Sequence, residues 1–343
     1  MEDGIFFVEK KRAVFGADNF VRKKQEQMQF KTLAENWLNN VKLHIKESSY
    51  VKYHNIVKNH IIPGLGEIVI SDFTTNVVEM FIEEKLTNGK KTGKGGLSEK
   101  TVKDILVVIK EICSLASSQN VILPCRLELI KIRSRQPEIH ILERNEQMKL
   151  ETLLLHDEDF IKTGVLMSLY MGLRLGEVCA LKRKHILFHS GILQVRGTMQ
   201  RIQNFEKERV NKTKIIITEP KTSSSVRDIP IPDFLMKRLK MIENISAQAY
   251  ILTGTPERYI EPRTLENIFK SYLRQCEIGT INYHALRHTF ATRCIESGFD
   301  VKSLSEILGH SNVNITLNRY VHSSMDQKRK NMERLKPQAE IVN

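Results

Sequence analysis

The chain has few of the features that mark secreted, zinc-binding or membrane proteins. It contains 5 cysteines in 343 residues, an odd number without CxxC spacing, which argues against a disulfide framework and against a zinc site. No apolar run approaches the ~20 residues that a membrane span needs. The segment Met1 to Phe7 begins with acidic residues and lacks the apolar core of a signal peptide. We therefore expect a cytoplasmic protein without a membrane partner.

Acidic residues are also in short supply. The chain has 40 Asp and Glu against 53 Lys and Arg, a formal net charge of +13. An excess of this size predicts a polyanionic partner, and nucleic acid is the first candidate. Charge alone leaves open the alternative that a basic surface only aids solubility.

Hydrophobic periodicity predicts two folded domains, in keeping with about 150 residues per domain. In the first, helices are predicted over 30–46, from Ser48–Ser49 to about 60, over 75–86 and from Ser98 onwards, with Pro63 and Gly64 stopping the second. The predicted division is an N-terminal leader (1–28), a helical domain (29–122), a basic linker (123–146), a second domain (147–323) and a C-terminal tail (324–343).

The second domain mixes helices with short strands. A hairpin is predicted over 186–195, and strands over 214–218 and 226–231 are predicted to be joined by a turn at 220–225. The basic stretch 196–218 has the length for an additional hairpin. The predicted fold class is mainly α with a small antiparallel β-sheet, that is, α+β.

Four short motifs and a tyrosine form an ordered set in the second domain. They are GLRLGE at Gly172–Glu177, PKTSSSVR at Pro220–Arg227, HALRH at His284–His288, LGH at Leu308–His310, and Tyr320. Taken singly, each fits an ordinary structural role, such as a surface arginine, a half-buried tyrosine or histidines that pack or cap a helix. Taken together, they supply the groups that phosphodiester chemistry needs.

Each of these residue types has a distinct part in such chemistry. Arg174 and Arg287 are candidates for a clamp, because guanidiniums stay protonated and grip phosphate oxygens in pairs. Arg287 follows His284 by three residues, so both can point at one phosphate from one helix face. Tyr320 is the candidate nucleophile, although its hydroxyl needs a base or nearby cations. Lys221 in the predicted turn is a candidate proton donor to the leaving oxygen.

The second domain, from about Asn145 to Ser323, resembles the catalytic domain of the tyrosine recombinases, the phage-integrase family. The resemblance implies six catalytic residues, Arg174, Lys221, His284, Arg287, His310 and Tyr320. It also implies that Glu177 supports the site, while His288 is expected to hold its helix in place. Residues 30–120 resemble the family's SAM-like core-binding domain, and the two domains are expected to close as a C-shaped clamp on duplex DNA.

The resemblance implies a site-specific recombinase that integrates and excises a mobile element through a 3′-phosphotyrosyl intermediate. Because each transesterification exchanges one phosphodiester for another, we expect no nucleotide cofactor, and the arginines replace the positive charge of a metal ion. The implied partners are double-stranded DNA attachment sites, further copies of the chain in a homotetramer, and an excisionase or host DNA-bending protein. The long stretch before Lys221 and the ten residues from His310 to Tyr320 are more similar to integrases of conjugative transposons and temperate phages than to Xer-type resolvases.

Two basic segments are predicted to contact DNA. Their candidate residues are Lys131, Arg133 and Arg135 in the linker, and Arg201, Lys212 and Lys214 in the stretch before Lys221. The tail carries Met325, Met332 and Leu335 among charged residues, and either a helix that docks on a neighbouring subunit or a frayed polar end fits this pattern.

Two other functions remain open on the sequence. A type IB topoisomerase uses the same residue types for a different purpose. A regulator that binds DNA without catalysis also fits the charge, since residues 283–320 contain two helices separated by Gly298, as in a helix-turn-helix.

Overall fold

The computed structural model describes residues 27–90, 93, 95–133, 140–205, 211–219, 223–320, 329 and 332–333. The chain divides into two compact units, Met1–Pro137 and Glu138–Asn343, and this division falls inside the predicted linker. Each unit has an apolar core of its own. Within the described residues, no helix is long and apolar enough to cross a membrane.

Unit 1 is helical in its described part. Its α-helices are α1 (Phe30–Lys42), α2 (Glu47–Ile56), α3 (Ile62–Leu65), α4 (Thr75–Asn88) and α5 (Glu99–Ser118). They enclose a core in which Phe30 stacks on Phe73 with ring centroids 4.0 Å apart. Helix α5 contributes a long buried face from Val102 to Ala116, as its apolar periodicity predicts.

The predicted end of the second helix is wrong. A π-helical turn, Val57–Ile61, joins α2 to α3 without a break, and Pro63 lies in the first turn of α3. The predicted caps Ser48 and Ser49 are also wrong, since they lie inside α2 and Lys46 occupies the N-cap position.

Two polar caps set helix starts in unit 1. The Ser98 hydroxyl accepts a hydrogen bond from the Thr101 amide at 3.2 Å, as predicted for α5. The Thr74 hydroxyl accepts one from the Val77 amide at 3.4 Å at the start of α4. A cap of this kind contributes about 1 kcal/mol to helix stability.

Unit 2 is built around one almost fully buried helix. Its helices are α6 (Arg144–Leu155), α7 (Phe160–Met171), α8 (Leu175–Ala180), α9 (Asp233–Leu239), α10 (Pro262–Gln275), α11 (His284–Glu296), α12 (Val301–Leu308) and α13 (Val313–Tyr320). Helix α7 is buried on nearly all sides from Thr163 to Met171, and it packs against α11. This packing brings the end of α7 beside the start of α11.

Five short strands form two antiparallel sheets in the described part of unit 2. They are β1 (Ile186–Leu187), β2 (Ile192–Val195), β3 (Thr198–Gln203), β4 (Thr213–Thr218) and β5 (Arg227–Pro230). The sheet order is β1-β2-β5 for one sheet and β3-β4 for the other. The additional hairpin predicted over 196–218 is confirmed as β3-β4, with Thr198 opposite Thr218.

The predicted turn between the strands over 214–218 and 226–231 is wrong as a hairpin. Strand β4 pairs with β3, whereas β5 pairs with β2 through Val195 opposite Arg227. The connection that carries Lys221 therefore links two sheets. Residues 220–222, including Lys221 itself, lie outside the described residues.

Candidate active site

The C-terminal end of α12 gathers three arginines. The last carbonyls of a helix have no partner within it and lie at the negative end of its dipole, so they attract cationic donors. Three successive carbonyls each accept a hydrogen bond from a different element of unit 2: Ile307 O from Arg227 Nε (2.6 Å), Leu308 O from Arg287 Nη2 (2.6 Å) and Gly309 O from Arg174 Nη2 (3.3 Å). One turn thus positions both candidate clamp arginines.

The C-terminal end of α7 also binds Arg287. Its Nη1 donates to Gly172 O at 2.7 Å, so this side chain, only 1% exposed, spans the ends of α7 and α12. Both helices end on a glycine in the left-handed conformation, Gly172 with φ of 65° and Gly309 with φ of 64°. Glycine is the residue that adopts this conformation at little steric cost.

Glu177 supplies the negative charge among these arginines. Its Oε1 accepts from Arg174 Nη1 at 2.8 Å, and its Oε2 accepts from the amide of Arg174, also at 2.8 Å. Arg227 donates to both carboxylate oxygens, at 3.0 and 2.9 Å. Burial opposes ionisation of Glu177, yet the Arg227 and Arg174 guanidiniums lower the pKa of this carboxyl to about 2. Glu177 is therefore ionised at neutral pH and holds Arg174 in place.

The two histidines assigned by the resemblance lie in the field of the same arginines. Burial, together with Arg287 and Arg174, lowers the pKa of His284 to about 4 and that of His310 to about 3. Neighbouring side chains crowd His284 enough to disfavour its charged form, although part of the residue is still exposed. His310 is partly buried, and its Nδ1 lies 2.8 Å from the Thr316 hydroxyl. Both rings are neutral at pH 7, so each has one N–H to donate.

Tyr320 lies at the end of α13 with its hydroxyl against His288. The hydroxyl is 2.7 Å from His288 Nδ1, and both side chains are buried, 7% and 8% exposed. Burial raises the pKa of Tyr320, and the positive charges of Arg287, Arg319 and Arg174 oppose this rise. His288 does more than hold its helix, because it binds the candidate nucleophile directly.

The predicted DNA-binding residues that the structure describes are divided between the two units. Lys131 and Arg133 are exposed in unit 1, where they line a groove together with Glu79, Glu83 and Glu99. Arg135 lies outside the described residues.

The other three candidates lie on the β3-β4 hairpin or at its tip. The Nε of Arg201 donates to Glu261 at 2.9 Å, so its guanidinium is already bound within the protein. Lys212 is exposed and Lys214 is partly exposed. The basic residues of this hairpin therefore differ in how accessible they are to a DNA phosphate.

Sequence reasoning missed three contributors to the site. Arg227 stands within the PKTSSSVR motif, six residues after Lys221, and membership of that motif was its one signal. Thr316 gave no signal, because threonines are common on the polar faces of helices. The carbonyls of 307–309 gave none either, since backbone oxygens are common to every residue.

The arrangement of these residues occurs in a chain whose sequence matches a known protein family. A profile of the Phage integrase family matches residues 139–327, more than half of the chain. The chain belongs to the phage integrase family. A second profile, described as the phage integrase N-terminal SAM-like domain, matches residues 29–86. Together with the helical and α+β units described above, this confirms the predicted fold class. The chain is a tyrosine-type site-specific recombinase, an enzyme that cleaves and rejoins DNA strands.

Individual tyrosine recombinases resemble the chain over most of its length. It is 27% identical over 330 residues to a "Tyrosine recombinase XerC-like" protein of Caldanaerobacter subterraneus subsp. tengcongensis, covering 88% of this chain and 81% of that one. A Tn1549 transposon integrase in complex with transposon right end DNA has a TM-score of 0.71 at 22% identity, covering 90% and 99%. A lambda integrase tetramer bound to a Holliday junction has a TM-score of 0.63 at 16% identity, covering 88% and 81%.

Proposed function

We propose that this tyrosine recombinase integrates and excises a mobile DNA element, with Tyr320 as the nucleophile. The observation that supports this most directly is the turn at 307–309. Arg174 and Arg287 are bound to it, His310 follows it, and Arg287 and Arg174 influence the pKa of Tyr320. Two arginines that can bind a phosphate therefore lie near the Tyr320 hydroxyl, which can attack that phosphate.

The first chemical step is strand cleavage. The Tyr320 oxygen attacks the scissile phosphorus, the bond from phosphorus to the 5′-oxygen breaks, and the DNA is left with a 3′-phosphotyrosyl link. The side chain of Arg174 is 35% exposed, so it reaches a nonbridging oxygen directly. Arg287 adds its charge from the buried floor of the site. These guanidiniums stabilise the charge that grows on the phosphate oxygens.

The remaining groups handle protons and hydrogen bonds. Neutral His310, with its Nδ1 bound to Thr316, presents an Nε2–H to the phosphate, and exposed His284 presents a second donor. Lys221 gives a proton to the departing 5′-oxygen. The 5′-hydroxyl of a partner strand then attacks the 3′-phosphotyrosyl link and restores a phosphodiester, so the bond energy is conserved without a nucleotide or metal cofactor.

The partners follow from this reaction. Double-stranded attachment sites are the substrate, and we place the enzyme in the cytoplasm with its DNA. Exchange between two sites needs four cleavages, so a homotetramer on DNA is the proposed assembly, with an excisionase or host DNA-bending protein setting direction. Lys131, Arg133, Arg135, Lys212 and Lys214 are proposed DNA contacts.

A nicked suicide substrate tests the proposal. The nick lies next to the scissile phosphate, so a short fragment diffuses away and the covalent link accumulates. Using the ends of the mobile element as substrate, we expect a protein–DNA adduct on a denaturing gel that is lost in Tyr320→Phe. Binding without any adduct would contradict the proposal in favour of a non-catalytic regulator. Relaxation of a plasmid without a defined site would favour a topoisomerase.

A further inference from the structure

The proposed cleavage leaves one proton without a destination. As the Tyr320 oxygen bonds to phosphorus, its hydroxyl proton has to leave. Lys221 is assigned to the departing oxygen, and His310 and His284 are assigned to the phosphate, so none of the three is available for this proton. A group that accepts it must lie within hydrogen-bond reach of the hydroxyl, at about 2.6–3.2 Å.

We propose, on the basis of the cleavage reaction above, that His288 orients the Tyr320 hydroxyl and takes its proton during attack. The distance from His288 Nδ1 to the hydroxyl is 2.7 Å, and the ring centroids lie 5.7 Å apart with a tilt of 49°. In the step, the bond from the Tyr320 oxygen to phosphorus forms, the hydroxyl proton passes to His288 Nδ1, and the 5′-oxygen leaves with a proton from Lys221. In rejoining, His288 returns the proton to Tyr320.

Two neighbouring side chains, His284 and Arg319, influence the His288–Tyr320 pair. The His284 and His288 rings pack in a T-shaped arrangement, with 4.6 Å between centroids and 86° between planes. The positive charge of Arg319, the residue before Tyr320, opposes the rise in the pKa of the Tyr320 hydroxyl. A neutral imidazole protonated at Nε2 leaves Nδ1 as an acceptor, and the proposal assigns this tautomer to His288, with the Tyr320 hydroxyl donating to Nδ1 across 2.7 Å.

The protonation state of His288 suits an acceptor. Burial and the positive groups around it lower its pKa to about 4, so Nδ1 carries a lone pair at neutral pH. The charged or titratable groups that influence it are His284 and Arg287 on its own helix and Arg319 on α13, with Tyr320 in direct contact. A bound phosphate offsets the arginine charges, and the hydroxyl becomes strongly acidic once its oxygen bonds to phosphorus, so transfer is favourable in the late stage of attack.

His284 is placed differently. It is exposed where a phosphate can approach, and the described contact of its ring is with His288. The two histidines of the HALRH segment therefore have separate roles: His284 faces the phosphate, and His288 contacts the nucleophile Tyr320.

Two substitutions separate orientation from proton transfer. In His288→Asn, the amide oxygen can occupy the position of Nδ1 and accept the Tyr320 hydrogen bond, but it cannot take the proton. In His288→Leu, a side chain of similar size does neither. The matched control is His185→Leu, because His185 is a partly buried histidine of the same unit whose Nδ1 accepts a hydrogen bond from the Lys182 amide at 3.0 Å.

The test needs a substrate on which the cleavage rate depends on proton removal from Tyr320 and not on proton donation to the leaving group. Replacing the scissile 5′-oxygen with sulfur gives a leaving thiolate that needs no proton, so cleavage no longer depends on Lys221. On this substrate, we expect Lys221→Ala to cleave near the wild-type rate. We expect His288→Asn to cleave about 10²-fold more slowly, as for loss of a general base, and His288→Leu more slowly still. His185→Leu should match wild type, and DNA affinity and thermal unfolding are measured for every variant.

The outcomes distinguish this proposal from the function on which it rests. If the wild-type protein forms no adduct, the cleavage reaction itself is wrong. If the wild-type protein forms an adduct and either His288 variant, folded and bound to DNA, cleaves at the wild-type rate, His288 does not take the proton. A wild-type rate that declines at acidic pH, with that decline absent from His288→Asn, supports the assignment.

Discussion

Arg227 grips Glu177 through both carboxylate oxygens, with Nη1–Oε1 and Nη2–Oε2 distances of 3.0 and 2.9 Å. The two side chains are only 5% and 4% exposed, so water does not screen the pair. Since Glu177 also binds Arg174, Arg227 helps to position Arg174, the arginine that we propose binds the phosphate.

Loss of this pair should be costly in unit 2. Removing one partner of a buried ion pair leaves an uncompensated charge, so we expect Arg227→Ala to lower the free energy of unfolding by about 3–5 kcal/mol. The matched control is Arg201→Ala, which breaks the pair with Glu261 in which Arg201 is 45% exposed; we expect a change of at most about 1 kcal/mol. Urea unfolding measures both, and equal changes would contradict the distinction.

The turn at Gly309 should be sensitive to a single methyl group. A Cβ there would lie 3.0 Å from Arg227 Cδ and 3.0 Å from the Ser224 carbonyl oxygen, and any L-residue is strained at this φ. We expect Gly309→Ala to slow strand cleavage by displacing the carbonyl that binds Arg174.

Gly191 offers the control for that substitution. It has a φ of +65°, and its added Cβ would meet nothing within 4 Å. Both alanine variants should lose about 1–2 kcal/mol of stability from backbone strain, but only Gly309→Ala should lose cleavage rate in the suicide-substrate assay. Equal cleavage by the two variants would show that the carbonyl position does not matter.

Protonation of Glu177 should destabilise the protein only in acid. Its folded-state pKa is lowered from 4.5 to about 2, so its contribution to stability is complete above pH 4.5 and is lost as the pH falls towards 2. Glu177→Gln removes this titration. Unfolding measured from pH 5 to pH 2 should therefore have a shallower pH dependence in the variant than in wild type.

His288 should act in a higher pH window. Its pKa is lowered from 6.5 to about 4, so the unfolded chain binds a proton that the folded chain does not. Stability is complete above pH 6.5 and falls as the pH drops from 6.5 to 4, by up to about 1.4 kcal/mol per pH unit. Unfolding of His288→Asn over this range should lack that share of the slope, and an unchanged slope would contradict the lowered pKa.

Two of the hairpin cations, Lys212 and Arg201, should differ in their contribution to DNA binding. Lys212 is exposed, whereas the Arg201 guanidinium is bound to Glu261. We expect Lys212→Gln to reduce the slope of log affinity against log salt concentration by about 1, as for one lost phosphate contact. Arg201→Gln should change it less. A larger effect of Arg201→Gln would mean that Arg201 leaves Glu261 when DNA binds.

Local signals predicted the parts of the fold that depend on neighbours in sequence. The periodic helices α1, α5 and α12, the Ser98 cap and the stop at Gly172 follow from residues within a turn or two. The β4 and β5 pairing could not be predicted in this way, because each strand pairs with a partner whose identity depends on the whole sheet. Joining consecutive strands was the simplest expectation and was wrong here.

The same distinction between local and long-range signals applies to the candidate site. Residue types and order pointed to Arg174, Arg287, His284, His310 and Tyr320, since their chemistry is legible in side chains. The contact between His288 and Tyr320 spans 32 positions, and the anchoring of the arginines depends on backbone oxygens. Neither has a signature in the sequence alone.

Because the last carbonyls of α12 bind three arginines, we expect changes in the number of residues in this helix to be tolerated less well than substitutions on its exposed face. Successive residues of an α-helix are rotated by about 100° about its axis, so inserting or deleting one residue before Ile307 would turn all three arginine-binding carbonyls away together. Exposed positions such as Lys302 and Glu306 can change without moving those oxygens. Related recombinases should therefore differ freely in the outer side chains of this helix while keeping the same number of residues between Asp300 and His310.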